Sequence, residues 1–291
     1  MIQVEFAKQL RRIRTVVVAA ICVVVPVLIG VGSYLSSNDS SGGGGGGDSS
    51  LQFATRHAGL VVGIESLSLA SFLLIPIVFA IYAGDTVASE AKWGSLRYLL
   101  VRPVTRPRLL TSKLVVAAVL AVATAMLIPV VGTIVGVAFF GWHPIQTVAL
   151  SGSAGGGASL GGFLGVPPVH FVTFSPGDAF ARLLLASAYV LFGAVSVLGV
   201  SFLVGVATEN TLAAVSAGIG VYIVSAIVEA ISGLRSIRPV LPTTYLQGWS
   251  NLFVPGSAPT AMWHGVVVAA IWAVATIGLA YAVFRRRDIV S

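Results

Sequence analysis

The sequence predicts an all-α membrane protein with six transmembrane helices. Apolar residues make up 56% of the 291 positions and charged residues only 9%, where a soluble domain carries roughly 25% charged residues. The apolar residues also fall into six long runs, and the basic residues gather between those runs. A closed β-barrel would need segments of about ten residues with alternating polarity, and no such pattern occurs.

The runs cover residues 15–35, 60–83, 114–140, 183–207, 212–234 and 265–284. Each reaches the roughly 20 residues that a helix needs to cross a hydrocarbon core about 30 Å thick. Only two acids, Glu65 and Glu229, lie inside them. The first run resembles the apolar core of a signal peptide, but it is long enough to span and five more follow, so it is expected to stay in place. Cys22, the single cysteine, sits within it, so no intrachain disulfide can form.

Ahead of the first run, Ile2, Phe6, Leu10 and Ile13 recur at helical spacing, with Glu5, Lys8, Arg11 and Arg12 on other faces. Residues 1–14 therefore read as a short helix lying in the membrane interface; a basic tail that only orients the first span is the alternative. Residues 36–59 contain six consecutive glycines at 42–47 and read as a flexible external linker.

The second connection, residues 84–113, is the one loop on its side with internal pattern. Val87, Trp93, Leu96, Leu99 and Leu100 are interleaved with Glu90, Lys92 and Arg97. This predicts an amphipathic helix over residues 85–100 that stops before Pro103, with Gly94 breaking or tightening it. Helix is expected to restart with Pro107 in its first turn and run into the third span.

Two further connections carry little pattern. The third, residues 141–178, holds a Gly/Ser-rich stretch at 151–162 followed by Pro167 and Pro168, too low in complexity for a separate domain. The fourth, residues 208–211, is too short to contact anything large.

The fifth connection, residues 232–264, differs. It interleaves Pro239, Pro242, Pro255 and Pro259 with Leu241, Tyr245, Leu246, Trp249, Leu252, Phe253 and Trp263. Short helices dipping into the outer leaflet and a plain aromatic belt both fit this mixture.

Orientation follows from the Lys and Arg count. The N-terminus, the second connection and the C-terminus together hold thirteen, against four (Arg56, Arg182, Arg235 and Arg238) on the other side. Basic residues are retained on the cytoplasmic side, so both termini are expected in the cytoplasm of a multi-pass protein of the cell membrane. The net charge of +7 then serves orientation in the bilayer, and nucleic acid is not an expected partner.

Several chemistries find no support. Gly-Lys does not occur, so the phosphate-cradling loop of an ATPase is missing. His57, His143, His170 and His264 are scattered outside the runs or at their ends, without metal-ligand spacing. Residues 157–161 match a nucleophile elbow in letters but have no strand before them. No catalytic residue and no metal site is expected.

Inside the spans, Glu65 and Glu229 are candidates by cost, since a carboxylate in lipid is expensive unless it meets water or protein. Substrate contact, pairing with Arg182, Arg235 or Arg238, and interfacial exposure are all open for them. Pro26, Pro76 and Pro129 should kink the first three spans. Gly132-x-x-x-Gly136 and Ser216-x-x-x-Gly220 should permit close helix approach.

One stretch carries a resemblance. Glu90-Ala-Lys-Trp93-Gly94-Ser95-Leu96, then Arg97, Leu99-Leu100, Pro103-Val-Thr-Arg106 and Lys113 resemble the cytoplasmic loop of permease subunits of type-2 ABC exporters. Six spans, an N-terminal interfacial helix, a hydrophobic segment before the last span and the closing Phe-Arg-Arg-Arg-Asp are similar to that family too. Ala91 and Lys92 stand where its members often have a second acid. The similarity covers the topology and is residue-specific over about thirty positions.

The resemblance implies that the helix around Glu90, Trp93, Gly94, Ser95, Leu96 and Arg97 is a coupling helix seated on a separate ATPase subunit, with Pro103 and Arg106 in the turn behind it. It implies two ATPase copies that carry the ATP and Mg, a second permease copy or related chain meeting this one through spans two and five, and surrounding membrane lipid. The expected function is export of an amphiphilic substrate such as a drug, a lipid or a hydrophobic peptide. A secondary transporter or channel that needs no ATPase is the alternative.

Overall fold

In the computed structural model the chain is described over residues 2–39, 58–92, 106–150, 169–208, 210–231, 236–253 and 260–286. A short helix α1 (Ile2–Leu10) precedes α2 (Ile13–Asp39), which holds the first span. The second span starts as α3 (Leu60–Leu69), passes through a π-helical turn (Ala70–Leu74) and continues as α4 (Ile75–Lys92). Then come α5 (Arg106–Phe140), strands β1 (Ile145–Leu150) and β2 (Val169–Phe174), α6 (Pro176–Thr208) and α7 (Thr211–Ala230). Two 3-10 helices (Arg238–Val240 and Leu246–Phe253) lead to α8 (Thr260–Arg286). Six of these helical stretches are long and apolar enough to cross a membrane.

The helices outrun the apolar runs where capping chemistry carries them on. α6 begins at Pro176, seven residues before the run: the Ser175 hydroxyl accepts the Asp178 amide at 3.2 Å and donates to its carboxylate at 2.7 Å. That is a serine N-cap with proline in the first turn. α7 starts at Asn210, whose side chain accepts from the amides of Leu212 and Ala213.

One expectation is corrected. The chain is mostly helical but not all-α, because β1 and β2 pair antiparallel from Ile145 opposite Phe174 to Leu150 opposite Val169. Composition points to loop for the stretch between them, but the flanking segments are rich in β-branched and aromatic residues, which favour strand. Of the amphipathic helix expected over residues 85–100, the described part, 85–92, is helical and continues the second span without a break to Lys92. Helix propagation costs less than a new nucleus, and neither Gly nor Pro interrupts Asp85–Lys92. The helix into the third span does restart at Arg106, with Pro107 in its first turn. Pro26 and Pro129 lie inside helices that stay continuous, and Pro76 follows directly on the π-helical turn.

Pro76 has no N–H for the carbonyl of Phe72, four residues back. The helix widens instead, and the Ile75 amide reaches the carbonyl of Ala70, five residues back. The Tyr222 hydroxyl on α7 donates to the Phe72 carbonyl.

Packing divides span two at this turn. Its first half, α3, lies on α5 through small residues: a side chain added at Gly136 would strike the Gly59 carbonyl and come within 2.9 Å of Val62, and Gly132 faces Ser66 and Gly63. Its second half, α4, packs mainly on α6 and α7, where Gly84 approaches Ala214 and Val215 and Gly218 approaches Ala80 and Ser201. The other small-residue motif behaves differently. Gly220 has nothing within 4 Å among the described residues, so this glycine makes no close helix approach there.

α6 is the axis of the bundle: 67% of its apolar window is buried, against 22% for the fifth and sixth spans. The second 3-10 helix lies over α6 with Leu246 and Trp249 buried. Arg182 donates to the Leu252 carbonyl and lies over the Phe174 ring at 4.5 Å. Tyr189 donates to the Tyr245 carbonyl at 2.7 Å, and Trp272 to that of Val240 at 2.8 Å. The aromatic residues here are therefore split, Trp249 serving the core while Trp263 stays exposed.

Candidate functional site

The densest polar cluster of the described residues lies at the basic end of the bundle, where α1, α2, α4 and α5 meet. Asp85, at the end of the second span, is buried. Arg12 and Arg14 each hold one oxygen of its carboxylate, Arg14 at 2.6 Å. The two arginines come from the turn between α1 and α2 and from the first residues of α2. A single carboxylate thus ties the start of span one to the end of span two.

A second pair sits beside the first. The Lys113 ammonium on α5, almost fully buried, pairs with Glu5 on α1 at 3.5 Å and donates to the Thr86 carbonyl at 3.4 Å. Gln9 is buried between them and donates to Glu5 at 3.5 Å, while its backbone carbonyl accepts the Thr15 hydroxyl at 2.7 Å. One layer deeper, the hydroxyls of Tyr82 and Thr124 share a hydrogen bond of 2.9 Å across spans two and three. Buried charges must be paired and hydrogen-bonded to persist, and this cluster meets that condition with Glu5 and Asp85 against Arg12, Arg14 and Lys113. The count leaves one positive charge in excess.

This arrangement can transmit displacement. α4 continues beyond Asp85 to Lys92 without a break, and α5 starts again at Arg106. The pairs of Asp85 with Arg12 and Arg14, the pair of Lys113 with Glu5 and the Lys113–Thr86 hydrogen bond join the bases of spans one, two and three.

The residues expected to carry function fall in two places. Glu90 lies on the described helix, although its side chain is outside the described set; Trp93, Gly94, Ser95, Leu96, Arg97 and Pro103 lie outside the described residues altogether. Arg106 is the first residue of α5. Glu65 and Glu229 stand near the opposite ends of spans two and five, both half-buried. Among the described residues neither makes an ion pair.

The arginines offered as their partners are engaged elsewhere. Arg182 serves Leu252 and Phe174, and Arg238 donates to the Ile231 carbonyl at 3.2 Å while standing within electrostatic reach of Glu229. Arg235 lies outside the described residues. Pairing of Glu65 with Arg182 or Arg238 is therefore not what the fold builds.

Sequence reasoning missed Asp85 as a site and took Arg12, Arg14 and Lys113 as topology charges. A signal existed, because the chain has only ten acids and one of them stands directly at the end of an apolar run. Among the described residues no group of His, Cys, Asp and Glu is arranged to hold a metal.

Residues 20–290 match the family model described as Protein of unknown function (DUF2705). No curated protein matches the chain.

Proposed function

We propose that this chain, which belongs to the DUF2705 family, is the membrane-spanning permease subunit of an ATP-driven exporter whose ATPase is a separate polypeptide. One observation carries the reading: α4 runs from the membrane span past Asp85 to Lys92, and its base is tied to the start of span one by the Asp85 charge pairs and to span three by the hydrogen bond from Lys113 to the Thr86 carbonyl. A rigid helix so anchored converts movement of a partner into tilt of several spans at once. The loop behind it carries the residues that resemble the coupling segment of type-2 ABC exporters.

On this reading the basic end faces the cytoplasm, where two ATPase subunits bind ATP and Mg and grip the region from Glu90 to Arg97. A second copy of the chain completes the pathway, meeting this one through spans two and five. Closure of the ATPase pair draws the helices inward and opens a route for an amphiphilic substrate toward the end that holds Glu65 and Glu229. The mutual placement of these two acids, each at the outer part of a pathway-lining span, suits the release side. No step of nucleotide hydrolysis belongs to this chain.

The experiment is purification from its native membrane in mild detergent, followed by identification of what is retained. A stoichiometric ATPase is expected, and Glu90→Arg should abolish its retention while membrane insertion stays normal. Transport of substrate by the isolated polypeptide on an ion gradient would overturn the proposal in favour of a secondary transporter.

A further inference from the structure

Around the charged base of the bundle, one corner presents cations and apolar side chains side by side. Residues 6–38 contain no acid, while Arg11, Arg12 and Arg14 fall within four positions at the turn from α1 into α2. Asp85 supplies only one negative charge for Arg12 and Arg14. The two are not equally placed: the Arg12 side chain is 24% exposed and that of Arg14 is 61% exposed. A guanidinium has five N–H donors, so Arg14 holds Asp85 through one nitrogen and keeps others directed outward. Arg11 is exposed, and among the described residues its guanidinium makes no hydrogen bond or ion pair.

The apolar part continues from the same point. Ile13 is 79% exposed, and Val17, Ile21, Val24 and Leu28 follow it as exposed side chains. They recur every three or four residues and so line one face of the first span. From Ile13 to Leu28 that stripe rises about 22 Å at 1.5 Å per residue, more than the depth of one leaflet, about 15 Å. Val16 widens the face where it meets the arginines.

We infer that this corner binds the headgroup of an anionic phospholipid, with Arg11 and Arg14 on the phosphate and the acyl chains along the Ile13–Leu28 face. Charge complementarity selects the head: Arg11 and Arg14 present exposed guanidiniums, and guanidinium pairs bidentately with phosphate. The adjoining stripe selects a lipid over a free anion, because a soluble phosphate would leave the apolar face unused. Arg12 keeps its buried bond to Asp85, so lipid binding does not dismantle the charged base. Arg14 touches both the carboxylate and the lipid, which makes the headgroup a neighbour of the lever. The inference stands whether or not an ATPase subunit binds this chain.

The test uses the purified full chain and native mass spectrometry of bound lipid, with phosphatidylglycerol and phosphatidylcholine offered in equal amounts. Wild type should retain phosphatidylglycerol at least tenfold in preference, and Arg11→Gln combined with Arg14→Gln should bring that ratio near one. Arg14→Lys, which keeps the charge, should retain most of the preference. Arg285→Gln combined with Arg286→Gln, at the end of α8, should leave it unchanged.

Should the double glutamine variant fail to fold, Arg11→Gln alone, which disturbs no described contact, should lower the ratio about threefold. Inorganic phosphate and glycerophosphate should not displace the lipid at millimolar concentration. An unchanged ratio in the Arg11 variants, a loss confined to the α8 variant, or displacement by free phosphate would each overturn the assignment.

Discussion

Asp85 is the residue on which the basic end depends. Its carboxylate is buried and divided between two guanidiniums, so removing its charge takes from Arg12 and Arg14 the carboxylate they share. Breaking a fully buried pair costs about 3–5 kcal/mol. Both arginines are partly exposed, and solvent screening reduces the effect. Asp85→Asn is therefore expected to destabilise the folded protein by about 2–3 kcal/mol, read as a lowered thermal midpoint in detergent. Glu65→Gln, which removes no described ion pair, serves as the comparison and should leave the midpoint in place. A midpoint unaffected by Asp85→Asn would mean that the pairs are surface contacts of no consequence.

At the scale of elements, the first half of span two shows how small residues set helix distance. Gly59, Gly63, Gly132 and Gly136 let α3 and α5 approach until backbone meets backbone. A side chain at Gly136 would press on the Gly59 carbonyl, which has no rotamer with which to move away. Gly136→Val should thus cost at least the 1–3 kcal/mol typical of overpacking and lower the yield of detergent-stable protein, measured by size-exclusion profile after heating. The π turn lies where this tight packing gives way to the contacts of α4 with α6 and α7. Pro76 creates the need for it, and Tyr222 satisfies the carbonyl that Pro76 leaves open.

For the whole molecule, the contrast between two like-spelled motifs separates internal packing from proposed assembly. Gly220 faces open space, and Ser216, Ile223, Val224 and Ile227 are exposed on the same helix. If a second copy meets this chain through span five, Gly220→Val should leave the thermal midpoint of the single chain unchanged and reduce the dimer fraction at least fivefold, as measured by light scattering in mild detergent. Equal dimer content in variant and wild type would remove this face from the assembly. The axial position of α6, with α2, α7 and α8 toward the periphery, leaves α7 available for such a contact.

The sequence by itself determined that the chain has six long apolar helices, where four of its connections fall and which end is basic, because apolar run length and the clustering of Lys and Arg are local properties. Even the start of α6 at Ser175-Pro176 and that of α7 at Asn210 was legible in capping residues. The strand pair was readable in principle from the β-branched and aromatic residues at 145–150 and 169–174, but only the meeting of β1 with β2 makes it a ribbon. Only the tertiary structure decided that Asp85 gathers Arg12 and Arg14, that Lys113 meets Glu5, that Arg182 turns to Leu252, and that Gly136 is closed while Gly220 is open. Periodicity tells which face of a helix is apolar, whereas the partner of a charge or a glycine is set by which helices lie side by side, and contacts between residues more than seventy positions apart leave no mark on either stretch alone.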